Sequence, residues 1–246
     1  RIYRDFAGCN YLRPIILELG GKNPAVVTRH ADIERAAVGI VRSAFGLQGQ
    51  KCSACSRIYI EEPVYDALVG RIVALTEKLA LGDPTERSVY LGPVINQSSY
   101  QEYQQFTEEL AKAGSILTGG KVLTEGAYGK GFFCTPTIAA DVPLHHRLWK
   151  HEMFLPISMV TRVKDLAEAL RHANDTEYGL TAGFYGSEDE AADFFDQIQV
   201  GVSYANRPQG ATTGAWPGFQ PFGGWKGSGS SGKNAGGHYY LPLYMR

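Results

Sequence analysis

Apolar residues along the chain alternate between helical spacing and short continuous runs. Five segments carry apolar side chains three and four positions apart between capping and helix-stopping residues, a pattern that predicts helices. These segments run from Asp32 to Gly46, from Pro63 to Gly82, from Ser98 to Ala113, from Lys164 to His172 and from Ser187 to Ile198.

Runs rich in β-branched and aromatic residues separate these helices. They are AVVT from 25, RIYI from 57, SIL from 115, FFCTPTI from 132, PISMVTRV from 156, LTAGFY from 180 and VGVSYAN from 200. Strands and helices that alternate in this way are typical of layered α/β domains. The sequence therefore predicts an α/β fold with a largely parallel sheet that is covered by helices on both faces.

Charge and composition limit the classes of partner that the chain is expected to bind. Lys and Arg number 24 against 25 Asp and Glu, which gives a net charge of -1 and favours neither nucleic acid nor a membrane surface. No apolar stretch approaches the roughly 18 to 20 residues of a membrane span, and the opening residues lack the apolar centre of a secretion signal. Four cysteines among 246 residues favour free thiols over a disulfide scaffold. We expect a folded cytoplasmic protein.

Cys52 is the first candidate for chemistry. It lies in the polar turn GQKCSACS, after a predicted helix and two glycines, where a thiol is accessible. We expect the neighbouring Lys51 to favour the thiolate. The alternative is a buried structural cysteine, because free cysteines are among the most buried residues.

Cys52 also forms a CxxC pair with Cys55, which elsewhere is a redox couple or half of a zinc site. Zinc needs two further ligands, and the one histidine cluster, His145, His146 and His151, matches no common finger spacing. A thioredoxin-type pair normally follows a strand, whereas this one follows a predicted helix. Both hypotheses remain open here, as does that of a catalytically silent structural domain.

Glu18 is the second candidate. It lies in the apolar segment LELGGKNP, where a carboxylate has a raised pKa and can serve as a base. The alternative is an edge residue that caps the next turn. Neither a GxGxxG dinucleotide fingerprint nor a phosphate-binding P-loop is present.

Five motifs together resemble those of the aldehyde dehydrogenase superfamily. They occur in the family's order, which makes chance agreement unlikely, and they cover essentially the whole chain. They are LELGGKNP from 17, FGLQGQKCSACS from 45, HEMFLPI from 151, ANDTEYGLTAGFY from 173 and QPFGGWKGSG from 220.

The resemblance implies the C-terminal, catalytic half of such an enzyme, with a three-layer catalytic domain. Residues 1–22 would end the cofactor-binding domain, 23–222 would form the catalytic domain, and the Gly-rich 223–246 would return toward the cofactor and oligomerisation region. It implies NAD as cofactor, with NADP possible, no metal, a small aldehyde as substrate and a homo-oligomer for the full-length enzyme. The isolated chain would then be weakly active or inactive.

The resemblance also assigns roles. Cys52 would be the nucleophile and Glu18 the base that activates water. Glu152 would bind the nicotinamide ribose hydroxyls, and Phe154 would pack beside the nicotinamide. Asn206, after the last predicted strand, matches a residue near the family's active site that orders the backbone or takes part in catalysis.

Two segments, GQKCSACSR and TGAWPGFQPFGG, resemble the 1-pyrroline-5-carboxylate dehydrogenase subfamily. By this resemblance Ser53, Gly214 and Ala215 would hold the α-carboxylate of L-glutamate γ-semialdehyde. Hydroxyl and backbone N–H donors suit a carboxylate without a dedicated arginine. Succinate semialdehyde is the alternative substrate.

Three departures from the family pattern stand out. Leu155 occupies a position that is usually glycine, and His151 replaces a glutamate. The stretch 206–214 is a few residues longer than its counterpart, and it lies beside the expected carboxylate anchor. The departures therefore bear on the substrate more than on the type of reaction.

Overall fold

The computed structural model describes residues 2–11, 15–215 and 219–245. The helices of this part are α1 (Ile2–Ala7), α2 (Ile33–Phe45), α3 (Tyr65–Thr76), α4 (Gln97–Ala113), α5 (Leu166–Asn174) and α6 (Glu188–Gln197). Its strands are β1 (Asn23–Val27), β2 (Cys55–Glu61), β3 (Ser115–Thr118), β4 (Val122–Leu123), β5 (Phe133–Cys134), β6 (Thr137–Ala140), β7 (Ile157–Val163), β8 (Tyr178–Gly179), β9 (Thr181–Tyr185), β10 (Val202–Ala205) and β11 (Trp225–Lys226).

Seven of these strands form one sheet in the order β10-β9-β1-β2-β7-β6-β3. Five neighbouring pairs are parallel, and only the edge pair of β3 with β6 is antiparallel. The central strands are buried almost completely, which explains their continuous apolar sequence. The largely parallel sheet predicted from the sequence is confirmed.

Helices cover both faces of this sheet. In β1 the side chains of Ala25 and Val27 pack against α2 and α3, whereas Val26 belongs to the opposite core with α4, α5 and α6. Successive strand residues point to opposite faces, so one apolar run fills both cores. The α/β fold class with a doubly covered sheet is therefore confirmed. Among the described residues, no helix combines the length and the apolar character that a bilayer span requires.

Local signals set most of the helix boundaries. The Asp32 side chain accepts a hydrogen bond from the Arg35 backbone at the start of α2. Ser187 and Glu190 form the predicted capping box of α6. Asn96 caps α4, which begins at Gln97, one residue ahead of the predicted start.

Two predicted elements differ from the structure. The helix expected to run from Pro63 to Gly82 begins with a short 3₁₀ turn and ends at Thr76, after which backbone bonds between residues three apart tighten the chain. The run from 132 divides into β5 and β6, because Pro136 lies between them and has no N–H for a ladder.

A buried arginine joins the sheet to α5. Arg57 of β2 is 1% exposed, and its Nε donates to the Lys22 carbonyl at 2.8 Å. Its Nη1 and Nη2 donate to the carbonyls of His172 and Ala173 in the last turn of α5, at 3.1 and 2.9 Å. A cation is favourable at a helix C-terminus, where carbonyl groups lack partners. Arg57 thus fixes the segment that leads into β1.

Replacing Arg57 with Met should leave these buried carbonyls unpaired and lower the free energy of unfolding by about 3 kcal/mol or more. Urea denaturation measures the change. Arg87→Met, at an exposed position, is the matched control and should have little effect. A loss below about 1 kcal/mol at Arg57 would contradict this role.

Candidate active site

The turn that carries Cys52 is fixed by one buried amide. Asn23, 2% exposed, donates from Nδ2 to the carbonyls of Cys52 and Ala54 at 2.8 and 2.9 Å. Its Oδ1 accepts the Thr181 N–H at 3.0 Å. The amide therefore ties the Cys52 turn to the first residues of both β1 and β9.

The chain that enters this turn has an unusual backbone. Leu47, Gln48 and Gly49 take consecutive left-handed conformations, with φ of 53°, 56° and 66°. A Cβ on Gly49 would lie 2.4 Å from the Leu155 carbonyl oxygen, so this position has no room for a side chain. Left-handed residues other than glycine are costly, and they cluster at functional sites.

Gly20 and Gly21 bring three motifs together. A Cβ on Gly21 would lie 2.3 Å from the Cys52 carbonyl oxygen, and one on Gly20 would lie 2.2 Å from Glu152 Oε2. The Gly21 N–H donates to Glu152 Oε1 at 2.8 Å. The Glu18, Cys52 and Glu152 motifs therefore meet at one place, as the functional hypothesis requires.

Glu18 lies beside the Gly-rich C-terminal segment. The Leu19 N–H donates to the Ser228 carbonyl at 3.0 Å, and Asn234 Nδ2 donates to the Leu17 carbonyl at 2.7 Å. Burial raises the pKa of the Glu18 carboxyl, and a hydrogen bond with the Asn234 side chain opposes that shift. The raised pKa agrees with the expectation for an acid in an apolar segment.

The Cys52 thiol is half-buried and free. Burial raises its pKa, and the negative charges of Glu18 and Glu152 raise it further. The backbone N–H groups of Ser53 and Cys52 lie at the sulfur and lower the pKa, but they do not reverse the shift. The Glu18 carboxylate therefore disfavours the thiolate form of Cys52.

Lys51 favours the Cys52 thiolate, as expected, but burial and two carboxylates outweigh its effect. The two groups do attract each other, since the sulfur acts to raise the pKa of Lys51. Burial lowers the Lys51 pKa overall, and burial with two carboxylates raises that of Cys52. The resting site holds a thiol, and a base is required to take its proton.

Ser53, Gly214 and Ala215 line a single cavity of about 310 Å³. Lys51 and Phe222 also line this cavity. Because Lys51 and Ser53 flank Cys52 in the sequence, the cavity adjoins the Cys52 turn. The three residues predicted to bind a carboxylate are thus brought together. Their combination of hydroxyl, backbone N–H and nearby cation is suited to an anion.

The long stretch 206–214 is fixed to the Cys52 turn through Thr212. The Thr212 hydroxyl donates to the Ser53 carbonyl at 2.7 Å, and its N–H donates to Ser43 Oγ at 2.9 Å. Sequence reasoning missed Thr212, because a threonine in a Gly-rich segment carries no distinguishing signal. Asn206 bonds both backbone groups of Gly186, so it orders the local backbone.

Glu152 and Phe154 form the side of the site that would meet a nicotinamide cofactor. Among the described residues, Glu152 Oε2 receives no hydrogen bond, and the Phe154 ring is 44% exposed on a left-handed backbone with φ of 54°. A carboxylate with a free oxygen suits a ribose diol, and an exposed ring suits an aromatic face. These residues therefore fit the cofactor.

The two departures from the family pattern beside Glu152, at Leu155 and His151, make packing contacts. Leu155 is 4% exposed in the core beneath α4, α5 and α6. The His151 ring meets the edge of Phe106 with ring centres 5.5 Å apart. Neither side chain points to a changed reaction.

Cys55 lies in a different environment from Cys52. It is 1% exposed, its thiol contacts the Arg57 carbonyl within β2, and burial raises its pKa to about 12. Such a thiol reacts slowly at neutral pH, which disfavours the redox-couple hypothesis. Across 2–11, 15–215 and 219–245, no group of three or more His, Cys, Asp or Glu side chains is arranged to hold a metal.

Lys22 is the most unusual charge near the site. It is 2% exposed, and its Nζ has no hydrogen-bond partner among the described residues. Burial, with the charge of Arg57, lowers its pKa to about 7, while Glu152 acts in the opposite direction. Sequence reasoning did not single it out, because a lysine is normally a surface residue.

Removing the Glu18 charge should lower the Cys52 pKa. In a Cys9→Ser background, Glu18→Gln should speed alkylation of Cys52 by iodoacetamide at neutral pH about threefold. Mass spectrometry follows the rate. Glu86→Gln, at an exposed position, is the control, and an unchanged or slower rate in Glu18→Gln would show that the two groups do not interact.

Lys22 should make stability depend on pH. Its folded-state pKa of about 7 lies below the ordinary 10.5, so the unfolded chain binds more protons between these values. The penalty is complete below pH 7, and the free energy of unfolding should rise by about 1–2 kcal/mol from pH 7 to 8.5. Lys22→Met should flatten this rise, and the exposed Lys78→Met should not. Denaturant titrations at pH values below 9.0, the ordinary cysteine pKa, measure this rise. An equal rise in Lys22→Met would refute the role of Lys22.

Comparisons with known proteins agree with this geometry. The model of the aldehyde dehydrogenase family matches residues 1–246. A 1-pyrroline-5-carboxylate dehydrogenase of Geobacillus sp. (strain WCH70) is 45% identical over 251 residues, which cover 100% of this chain and 47% of that protein.

Two solved structures are also similar. The 1-pyrroline-5-carboxylate dehydrogenase from Thermus with bound NAD has a TM-score of 0.88 at 38% identity, covering 99% of this chain and 46% of its own. Lactaldehyde dehydrogenase from Escherichia coli has a TM-score of 0.85 at 32% identity, covering 94% and 47%. The chain spans about half the length of these relatives. The chain belongs to the aldehyde dehydrogenase family.

Proposed function

We propose that this chain is the catalytic half of an enzyme that oxidises an aldehyde to a carboxylate through a cysteine thioester, with NAD as acceptor. The substrate we propose is L-glutamate γ-semialdehyde. The observation that carries the proposal is the packing of Gly21, in the Glu18 motif, against the Cys52 carbonyl, beside a cavity that Ser53, Gly214 and Ala215 line.

Cys52 is the nucleophile in this proposal. Its sulfur forms a bond to the aldehyde carbon while the thiol proton leaves to Glu18, and a thiohemiacetal oxyanion results; Glu18 passes that proton to solvent before the next step. The backbone N–H groups of Cys52 and Ser53 would donate to that oxyanion. A nicotinamide held by Glu152 and Phe154 would supply the hydride acceptor.

Glu18 then acts on water. It takes a proton as the water oxygen bonds to the thioester carbon, and the carbon–sulfur bond breaks to release the carboxylate and free Cys52. A base with a raised pKa is matched to proton transfer near neutral pH. The acidic limb of activity should therefore follow the Glu18 pKa.

Glu152 would hold the cofactor's ribose through its free carboxylate oxygen, and Phe154 would pack beside the nicotinamide. The Gly21 N–H fixes the Glu152 carboxylate for that role. NAD is the cofactor named for the related Thermus structure. Glu152 and Phe154 are equally compatible with NADP, because NAD and NADP share the nicotinamide and its ribose.

The domain boundaries remain a proposal with structural support. We propose that 1–22 ends a cofactor-binding domain, 23–222 forms the catalytic domain and 223–246 returns toward the cofactor and oligomerisation region. The bonds that join Leu17 and Leu19 to Asn234 and Ser228 support a common location for residues 17–19 and 228–234. Exposed apolar side chains at Tyr240, Leu241 and Met245 favour a homo-oligomer.

The substrate proposal predicts a selective loss in Ser53→Ala. In the enzyme that contains both halves, KM for glutamate γ-semialdehyde should rise about tenfold, because a hydrogen bond to a charged group is lost. KM for pentanal, which has no carboxylate, should change little. NADH formation measures both constants.

Further variants and substrates test the alternatives to this proposal. Cys52→Ala should abolish NADH formation and Cys55→Ala should retain it, whereas the reverse would favour the CxxC hypothesis. An equal effect of Ser53→Ala on both aldehydes would refute the carboxylate anchor. A higher kcat/KM for succinate semialdehyde would replace the proposed substrate. Rapid NADH formation by this 246-residue chain alone would contradict its role as a half.

A further inference from the structure

Arg207 lies directly behind the cavity wall formed by Gly214 and Ala215. Its guanidinium stacks over the Tyr204 ring, 4.8 Å from the ring centre, and Nη1 donates to the Gly214 carbonyl at 3.3 Å. It pairs with no carboxylate among the residues that the structure describes. A half-buried cation without an acidic partner is unusual, because burial of an unpaired charge is costly.

The position of Arg207 is fixed from several sides. The Tyr185 hydroxyl donates to the Arg207 carbonyl at 2.7 Å, and Asn206 is bonded to Gly186. Gly214 has φ of +105°, and a Cβ there would lie 2.7 Å from Arg207 Nη2. Only glycine permits this close approach of backbone and guanidinium.

The trans peptide bond transmits this contact to the cavity. A carbonyl and the N–H of the same peptide point in opposite directions, so a bond from Arg207 to the Gly214 oxygen turns the Ala215 N–H away from Arg207. Gly214 and Ala215 line the cavity, and Arg207 does not. Among residues 2–11, 15–215 and 219–245, the Ala215 N–H has no hydrogen-bond acceptor.

We propose that Arg207 is a positioning residue that makes this site selective for aldehydes bearing a carboxylate. It holds the Gly214 carbonyl so that the Ala215 N–H faces the carboxylate, and its charge polarises that peptide. A hydrogen bond on the carbonyl strengthens the N–H as a donor. This inference rests on the proposed function, because it assumes that the cavity receives the substrate carboxylate.

Protection of Cys52 tests the proposal without cofactor or turnover. In a Cys9→Ser background, iodoacetamide alkylation of Cys52 is followed with increasing glutarate, a dicarboxylate of the substrate's length, and with glutaramide as its uncharged match. Each variant is normalised to its own rate without ligand. Glutarate should protect and glutaramide should not.

Arg207→Gln should weaken protection by glutarate about tenfold, because a charge-assisted contact is lost. Arg207→Lys keeps the charge but loses the planar group that stacks over Tyr204, so it should recover only part of the protection. Arg87→Gln, at an exposed position, should protect as the parent does. Equal protection in Arg207→Gln, or an equal loss in Arg207→Lys, would overturn the inference while the carboxylate site stands.

Absence of protection by glutarate in the parent would instead overturn the proposed carboxylate anchor, and the role of Arg207 with it. Should Arg207→Gln fail to fold, ¹⁵N-alanine spectra of the parent decide the question. The Ala215 amide proton, assigned from its absence in Ala215→Gly, should shift downfield with glutarate and not with glutaramide. An unmoved Ala215 signal would contradict the proposal.

Discussion

The backbone contact at Gly20 and Gly21 is the constraint on which the site depends. One side of this segment lies against the Cys52 carbonyl and the other against the Glu152 carboxylate, with no space for a Cβ on either glycine. Asn23, immediately after it, binds the Cys52 turn by two hydrogen bonds. Three distant parts of the sequence are therefore brought together by the backbone contact of Gly21 with the Cys52 turn and by side-chain contacts of Glu152 and Asn23.

Electrostatics gives this arrangement its chemical character. Burial and two carboxylates raise the pKa of the Cys52 thiol, which favours the protonated sulfur. Glu18 has a raised pKa in the same surroundings. The Glu18 charge contributes to the raised pKa of the thiol, so the two groups share one electrostatic environment.

The sequence predicts those features that depend on local patterns. The parallel sheet follows from continuous apolar runs such as the one in β7, and α6 follows from its capping box. Cys52 and Glu18 were identified from short motifs with their own chemical rationale. Thr212 and Arg207 were not, because their partners lie far away in the chain or belong to the backbone. The direction of the Cys52 pKa shift also needed the structure, since it depends on the balance between Lys51 and two carboxylates brought in by the fold.

The central claim is that the Cys52 sulfur is presented to an aldehyde carbon in this cavity. The most direct measurement is ¹³C NMR of the protein mixed with 5-oxopentanoate labelled at the aldehyde carbon. We expect a thiohemiacetal signal that disappears in Cys52→Ala and persists in Cys55→Ala. A spectrum that contains only the free aldehyde and its hydrate, or an adduct that depends on Cys55, would contradict the account.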